Sequence, residues 1–178
     1  MAKGTAKQRY NIAIRILHKL VALCIILQFI IGFFFDSLFA NFYPSTFMML
    51  HKSIGLSTLI LVILLILIRL VSKKLPYGNT LPKPQIFLAK VVHFGMYVCI
   101  ILMSLSGFIA SQLFQYPFWY FDLVQIPVFL PHNAALGAQI FSLHPIVAYI
   151  LLVLVILHIL AVIYHRFIVK DSILKRIW

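Results

Sequence analysis

Three histidines punctuate one apolar run, LHPIVAYILLVLVILHILAVIYHRFI, between Leu143 and Ile168. The run is long enough to cross a bilayer, which takes about 20 mostly apolar residues. His144 and His158 are fourteen residues apart, close to four helical turns. They therefore point roughly the same way, at depths about 21 Å apart. His165 follows seven residues after His158, on nearly the same side. One helix thus offers imidazoles at two depths. Ionisable side chains inside a membrane are costly and mark function by default, so each imidazole calls for a partner from another segment.

The elements that must supply those partners are also apolar. Of the 178 residues, 63% are hydrophobic and only 10% are charged, and the mean hydropathy is +1.07. A water-soluble domain cannot hide that much apolar surface. The expected fold is an all-α membrane protein, a four-transmembrane-helix bundle with spans at about 11–35, 47–71, 87–112 and 143–168. The basic N-terminus followed by an apolar run resembles a secretion signal, but the run is too long and lacks a small-residue cleavage site, so it reads as an uncleaved first span. Lysines and prolines between Ser72 and Gln85 predict a loop. The stretch Leu113–Phe141 is apolar and aromatic but broken by Pro117, Pro127 and Pro131. It is expected to lie along the membrane surface, where Trp and Tyr settle, with His132 as a loop residue. Cys24 and Cys99 sit inside apolar segments, and no C-x-x-C-H run offers thioether attachment of a haem.

Charge fixes the orientation. The net charge of +12 could suggest a nucleic-acid partner, but the cations flank apolar runs instead of forming a patch on a polar domain. Lys3, Lys7, Arg9, Arg15 and Lys19 precede or open the first span. Arg69, Lys73, Lys74, Lys83 and Lys90 surround the second loop, and Arg166, Lys170, Lys175 and Arg176 follow the last span. Only Lys52 falls on the opposite side. Excess Lys and Arg stay cytoplasmic, so both termini are expected in the cytoplasm.

On that topology the histidines sort by depth. His18 in the first span and His158 in the fourth lie in the cytoplasmic half, whereas His51 in the second and His144 in the fourth lie in the outer half. Neutral imidazole is the commonest metal-ligand side chain, and haem iron is often held by axial His. Two imidazoles per iron leave no open position and favour outer-sphere electron transfer. Gly55 after His51 and Ala161 after His158 could let a flat macrocycle approach the backbone; Gly55 equally suits ordinary small-residue helix packing. A proton relay or a metal transporter remains an alternative reading of the same spacing. Asp36, Asp122 and Asp171 all sit at span ends or in loops, which argues against transport of divalent cations.

In order along the chain, IRILHKL around His18, MLHKSIG around His51, LAKVVHFGMY around His93, YPFWYF before Pro127, LHPIVAY around His144 and LHILAVIYHRFIVKD around His158 and His165 resemble the bacterial cytochrome b561 family. Its members are four-helix, dihaem, quinone-reactive membrane cytochromes. The resemblance covers Tyr10 to Ile177 and implies one domain over 1–178, set in the bacterial inner membrane. It implies two haem b groups, the inner one on His18 and His158 and the outer one on His51 and His144. Histidines matching His93 and His165 lie near a quinone in the family. Arg15, almost one turn before His18, could steady negative charge there. Some members oxidise superoxide at the outer face and pass electrons to ubiquinone; others look like carriers docked to a partner redox protein. Lys52 then reads either as a propionate partner or attractor of an anionic substrate, or as a cation snorkelling to the interface. The chain departs from the family at Leu65, where an arginine is frequent, and at Pro145. Because proline suits only the first turn of a helix, Pro145 predicts that His144 sits at the very start of the fourth span.

Overall fold

The computed structural model describes residues 9–73, 75, 82–171 and 174–177. Four long helices dominate it: α1 (Ile12–Phe33), α2 (Pro44–Val71), α3 (Lys83–Leu113) and α4 (Ala134–Ile163). Each is long and apolar enough to cross a membrane. In lipid this is one of the few permitted solutions, because a helix satisfies its backbone donors and acceptors within the segment. The buried core is correspondingly thin. Ile14, Val21, Val62, Leu65, Cys99, Ile100 and Leu151 meet at its centre, while large apolar residues such as Leu23, Leu67, Leu102 and Val153 face outward. α1 packs chiefly on α2, and α3 on α4.

Local chemistry explains the helix ends. Asn11 Oδ1 accepts from the Ala13 N–H at 3.0 Å and caps α1; Asn133 Oδ1 accepts from Leu136 N–H at 3.0 Å and caps α4. Proline stands in the first turns of α2 and α3, where its missing N–H would have had no helical partner. The Pro82–Gln85 end of the expected loop is therefore a helix start. Lys74 and most of the rest of that loop lie outside the described residues, as do Lys3 and Lys7.

The fourth helix corrects the sequence expectation. It starts at Ala134, ten residues before His144, so Pro145 lies inside it. The upstream turns are held to the end of α3. The Asn133 N–H donates to the Leu113 carbonyl at 3.1 Å, and Gly137 lets the Phe114 ring come within 3.1 Å of where a Cβ would stand. A proline inside a membrane helix is tolerated where its neighbours stabilise the broken ladder. Beyond Ile163 the helix widens into a π turn, Tyr164–Val169, which ends at Lys170 in the left-handed region.

Between α3 and α4 the aromatic stretch forms a small hairpin, β1 (Phe118–Tyr120) with β2 (Val124–Ile126), antiparallel with Trp119 opposite Gln125. Phe121 and Asp122 both have positive φ, 50° and 61°. With Leu123 they make a three-residue loop, since Tyr120 pairs with Val124; positive φ is tolerated by Asp but disfavoured for Phe. Side chains on α2 and α3 impose the turn. Ser53, fully buried, accepts from Phe121 N–H at 2.8 Å and donates to the Trp119 carbonyl at 3.3 Å. The Ser57 hydroxyl meets the Tyr120 hydroxyl at 2.8 Å. Gln112, 1% exposed, donates to the Pro127 carbonyl and accepts from Phe129 N–H. His132 is a loop residue, as expected.

The two chain ends meet at the opposite face of the bundle. Tyr10 N–H donates to the Arg176 carbonyl at 3.0 Å, and Arg15 Nε donates to the Ile177 carbonyl at 3.3 Å. The bundle thus has a termini face and a hairpin face. The hairpin contacts generate a stability test. Ser53→Ala leaves the Phe121 N–H without its partner in a part-buried site, a loss of about 1 kcal/mol. A lowered unfolding temperature in detergent is the expected result, with no change in helix content by circular dichroism.

Candidate cofactor sites

Towards the hairpin face, His51 of α2 and His144 of α4 face each other with ring centres 6.1 Å apart and ring planes at 66°. Towards the termini face, His18 of α1 and His158 of α4 do the same at 6.3 Å and 53°. The structure therefore forms both pairs expected from depth, and α4 contributes one member of each.

The separations have a chemical meaning. A metal–imidazole bond of about 2 Å on each side, with each ring centre roughly 1.2 Å further out, sets two trans ligands about 6.4 Å apart, centre to centre. Both pairs match that span. Among the described residues no group of three or more His, Cys, Asp or Glu converges to hold a metal ion unaided. Two imidazoles suffice only where a macrocycle brings the other four donors, as haem does. The hairpin-side pair also borders a cavity of about 660 Å³, lined among others by Gln28, Gly32, Gly55, Gly107 and Ala148. His51 Nδ1 and Gln28 Oε1 are buried there without hydrogen-bond partners, while Gln28 Nε2 donates to the His51 carbonyl at 2.7 Å. The residues present fit haem.

The small residues act differently from one another. A Cβ on Gly55 would lie 3.1 Å from Gln28 Nε2, so Gly55 makes room for that amide as well as lining the cavity. Ala161 is exposed. Gly107 makes the close approach that sequence reasoning missed: a Cβ there would lie 3.1 Å from His144 Cε1. Next to it, Ser106 Oγ bonds His144 Nδ1 at 3.1 Å, and Phe141 stacks on the same imidazole at 5.7 Å. The signal available in the sequence was the polar, small run Ser104–Ser106–Gly107 inside an apolar helix.

Four further residues singled out from the sequence are now located. His93 of α3 meets His158 edge-on at 4.9 Å, and its Nδ1 lies 2.6 Å from the Ala89 carbonyl. That oxygen can only accept, so Nδ1 carries the hydrogen. His165 lies in the π turn, where its Nδ1 contacts Asp171 Oδ2 at 2.7 Å. The two expected quinone-side histidines thus have separate settings, one against a pair member and one at the helix end. Arg15 is engaged with the chain end through Ile177. Lys52 donates to Ser111 Oγ at 2.9 Å and lies over the Tyr116 ring at 5.7 Å. Arg69, which was placed near a span end without a role, donates to the Tyr97 hydroxyl at 2.9 Å and covers the Tyr10 ring.

Comparison with known proteins bears on the same residues. The family model described as prokaryotic cytochrome b561 matches residues 9–178. Cytochrome b561 homolog 2 of Escherichia coli (strain K12) is 27% identical over 182 residues, covering 99% of this chain and 94% of that protein. Four apolar helices, opposed imidazoles with room for a macrocycle and a match over almost the whole length agree: the chain belongs to the prokaryotic cytochrome b561 family, and is a multi-pass bacterial membrane b-type cytochrome that binds haem b and serves electron transfer.

Proposed function

We propose that the protein holds two haem b groups, one between His51 and His144 and one between His18 and His158, and passes single electrons from a donor at the hairpin face to ubiquinone at the termini face. The observation that carries this reading is the repeated spacing, 6.1 Å and 6.3 Å between ring centres at two levels of one bundle. Haem with two axial imidazoles supplies a redox-active iron with no open position, suited to outer-sphere electron transfer. The chain's own residues provide the ligands, and its apolar helices exclude water from both levels.

At the termini face the task is protonation. A quinone becomes a quinol by taking two electrons and two protons. His93 and His165 are the side chains we assign to deliver protons, with Asp171 orienting the His165 ring from 2.7 Å. Arg15 contributes positive charge on the same face. At the hairpin face the donor is a one-electron reductant. Superoxide suits the charge of Lys52; each would lose one electron and leave as O2. We place the protein in the bacterial inner membrane with the termini face cytoplasmic, following the distribution of Lys and Arg.

Removal of ligands tests the pairing. The wild-type protein should contain two haem b per chain. His18→Ala and His158→Ala should each remove one spectral component, and His51→Ala and His144→Ala the other. Haem extraction and reduced-minus-oxidised spectra on folded protein decide it; a variant pair that splits across components would refute the assignment.

Quinone chemistry is separable from haem binding. His93→Ala and His165→Ala are expected to keep both haems but to slow haem reoxidation by a soluble quinone, by about 10²-fold where a proton donor is lost. Stopped-flow reoxidation makes the measurement, and wild-type rates in both variants would move the quinone elsewhere. Superoxide pulses on the reduced-quinone-free protein test the donor: no haem reduction would favour a carrier fed by a partner redox protein.

Sidedness has its own check. Alkaline phosphatase fused after Trp178 should be inactive in cells, and the same enzyme inserted at Pro127 should be active. The reverse pattern would invert the bundle.

A further inference from the structure

We propose that Ser106 and Gly107, side by side on α3, are the device that positions His144: the serine holds Nδ1, and the glycine lets the ring lie against the α3 backbone, so that Nε2 would be left free to bind haem iron. This inference rests on His144 being a haem ligand.

The hydrogen count makes the assignment. Ser106 is buried, and its hydroxyl donates to the Met103 carbonyl at 3.0 Å, the back-bond to the preceding turn that serine commonly makes in helices. A hydroxyl has one hydrogen, and a carbonyl has none to give, so that hydrogen is committed. With the hydroxyl directed at Met103, the 3.1 Å contact between Ser106 Oγ and His144 Nδ1 is assigned to a hydrogen on Nδ1; His144 also hydrogen-bonds the Met103 carbonyl. Neutral imidazole carries only one. Nε2 is left with a bare lone pair, the state that a metal ligand requires. Ligating histidines characteristically donate their other N–H in this way, which fixes the ring and strengthens the ligand.

Gly107 completes the arrangement. A methyl group there would stand 3.1 Å from Cε1 and 3.3 Å from Nδ1 of His144. The ring has little room to yield, since its edge is tied to Ser106 and Phe141 stacks on it at 13° between planes. His51 lacks such a device. Its Nδ1 is buried without a partner, and a Cβ on the nearest glycine, Gly32, would be at an ordinary 3.5 Å. At this level, therefore, the ring from α4 is preset by the protein before haem binds, and the ring from α2 is not.

The experiment uses the full-length purified protein with Ser106→Ala, Ser106→Thr and Gly107→Ala, and with His51→Ala and His144→Ala to identify the hairpin-side spectral component. In Ser106→Ala that haem should bind about 10- to 100-fold more weakly, and its midpoint potential should move to more positive values because a less electron-rich ligand stabilises the oxidised iron less. Ser106→Thr, which keeps the hydroxyl, should restore both. Gly107→Ala should change the low-spin electron paramagnetic resonance signal of the same haem, reporting a turned imidazole. The other haem should keep its potential and signal in all three. Wild-type affinity and potential in Ser106→Ala, or equal shifts in both haems, would overturn the proposal, the latter by pointing to general loosening. If His51→Ala and His144→Ala remove different components, the haem pairing itself fails, a result independent of the Ser106 variants.

Discussion

A polar ring inside a lipid-embedded bundle is tolerable only if something satisfies it, and α4 carries two such rings on one face. That constraint sets the arrangement of the other helices. α1 must bring His18 to the level of His158, and α2 must bring His51 to the level of His144; the observed ring separations of 6.3 Å and 6.1 Å show that both are met to within a few tenths of an ångström. Two segments entering from opposite faces can do this only if their depths are well controlled. The Asn11 cap, the first-turn proline Pro44 and the bond from Tyr10 N–H to the Arg176 carbonyl supply that control.

The third helix plays a different part. It contributes no member to either opposed pair, yet it touches both. His93 lies edge-on to His158, while Ser106 and Gly107 hold His144. Its last turn extends this influence past the membrane-spanning length: Gln112 anchors the connection at Pro127 and Phe129. Ser53 on α2 then clips the hairpin turn. Buried side chains bonding to loop backbone are expensive to leave unsatisfied, so these few residues hold an irregular segment in register against the hairpin-side cavity.

What could be read from the sequence follows from what is periodic or additive. Apolar length gave four spans, the cation count gave their sidedness as an expectation, and the fourteen-residue interval in α4 gave two levels. The pairing of helices followed from depth alone. The start of α4 was not legible, because it depends on tertiary contacts: Asn133 on Leu113, and a glycine, Gly137, under Phe114. By the rule that proline suits only the first turn of a helix, Pro145 marks a helix start; in this bundle packing outweighs that rule and places it inside α4. The hairpin was equally hidden. Phe121 is not a residue that favours a left-handed conformation, and the buried serine hydroxyl that holds it there lies 68 residues away in the chain.

The two faces of the bundle carry different sets of polar side chains. Around His51 and His144 stand Ser106, Ser111, Gln28 and Lys52, and Asp36 lines the same cavity. The remaining imidazole of that face, His132, is in an exposed loop. At the termini face, two imidazoles beyond the opposed pair, His93 and His165, stand with a carboxylate, Asp171. A donor that gives up an electron alone, such as superoxide, needs nothing but access and attraction, whereas a quinone needs protons with its electrons. The single helix α4 joins the two levels through one imidazole at each, His144 towards the hairpin face and His158 towards the termini face.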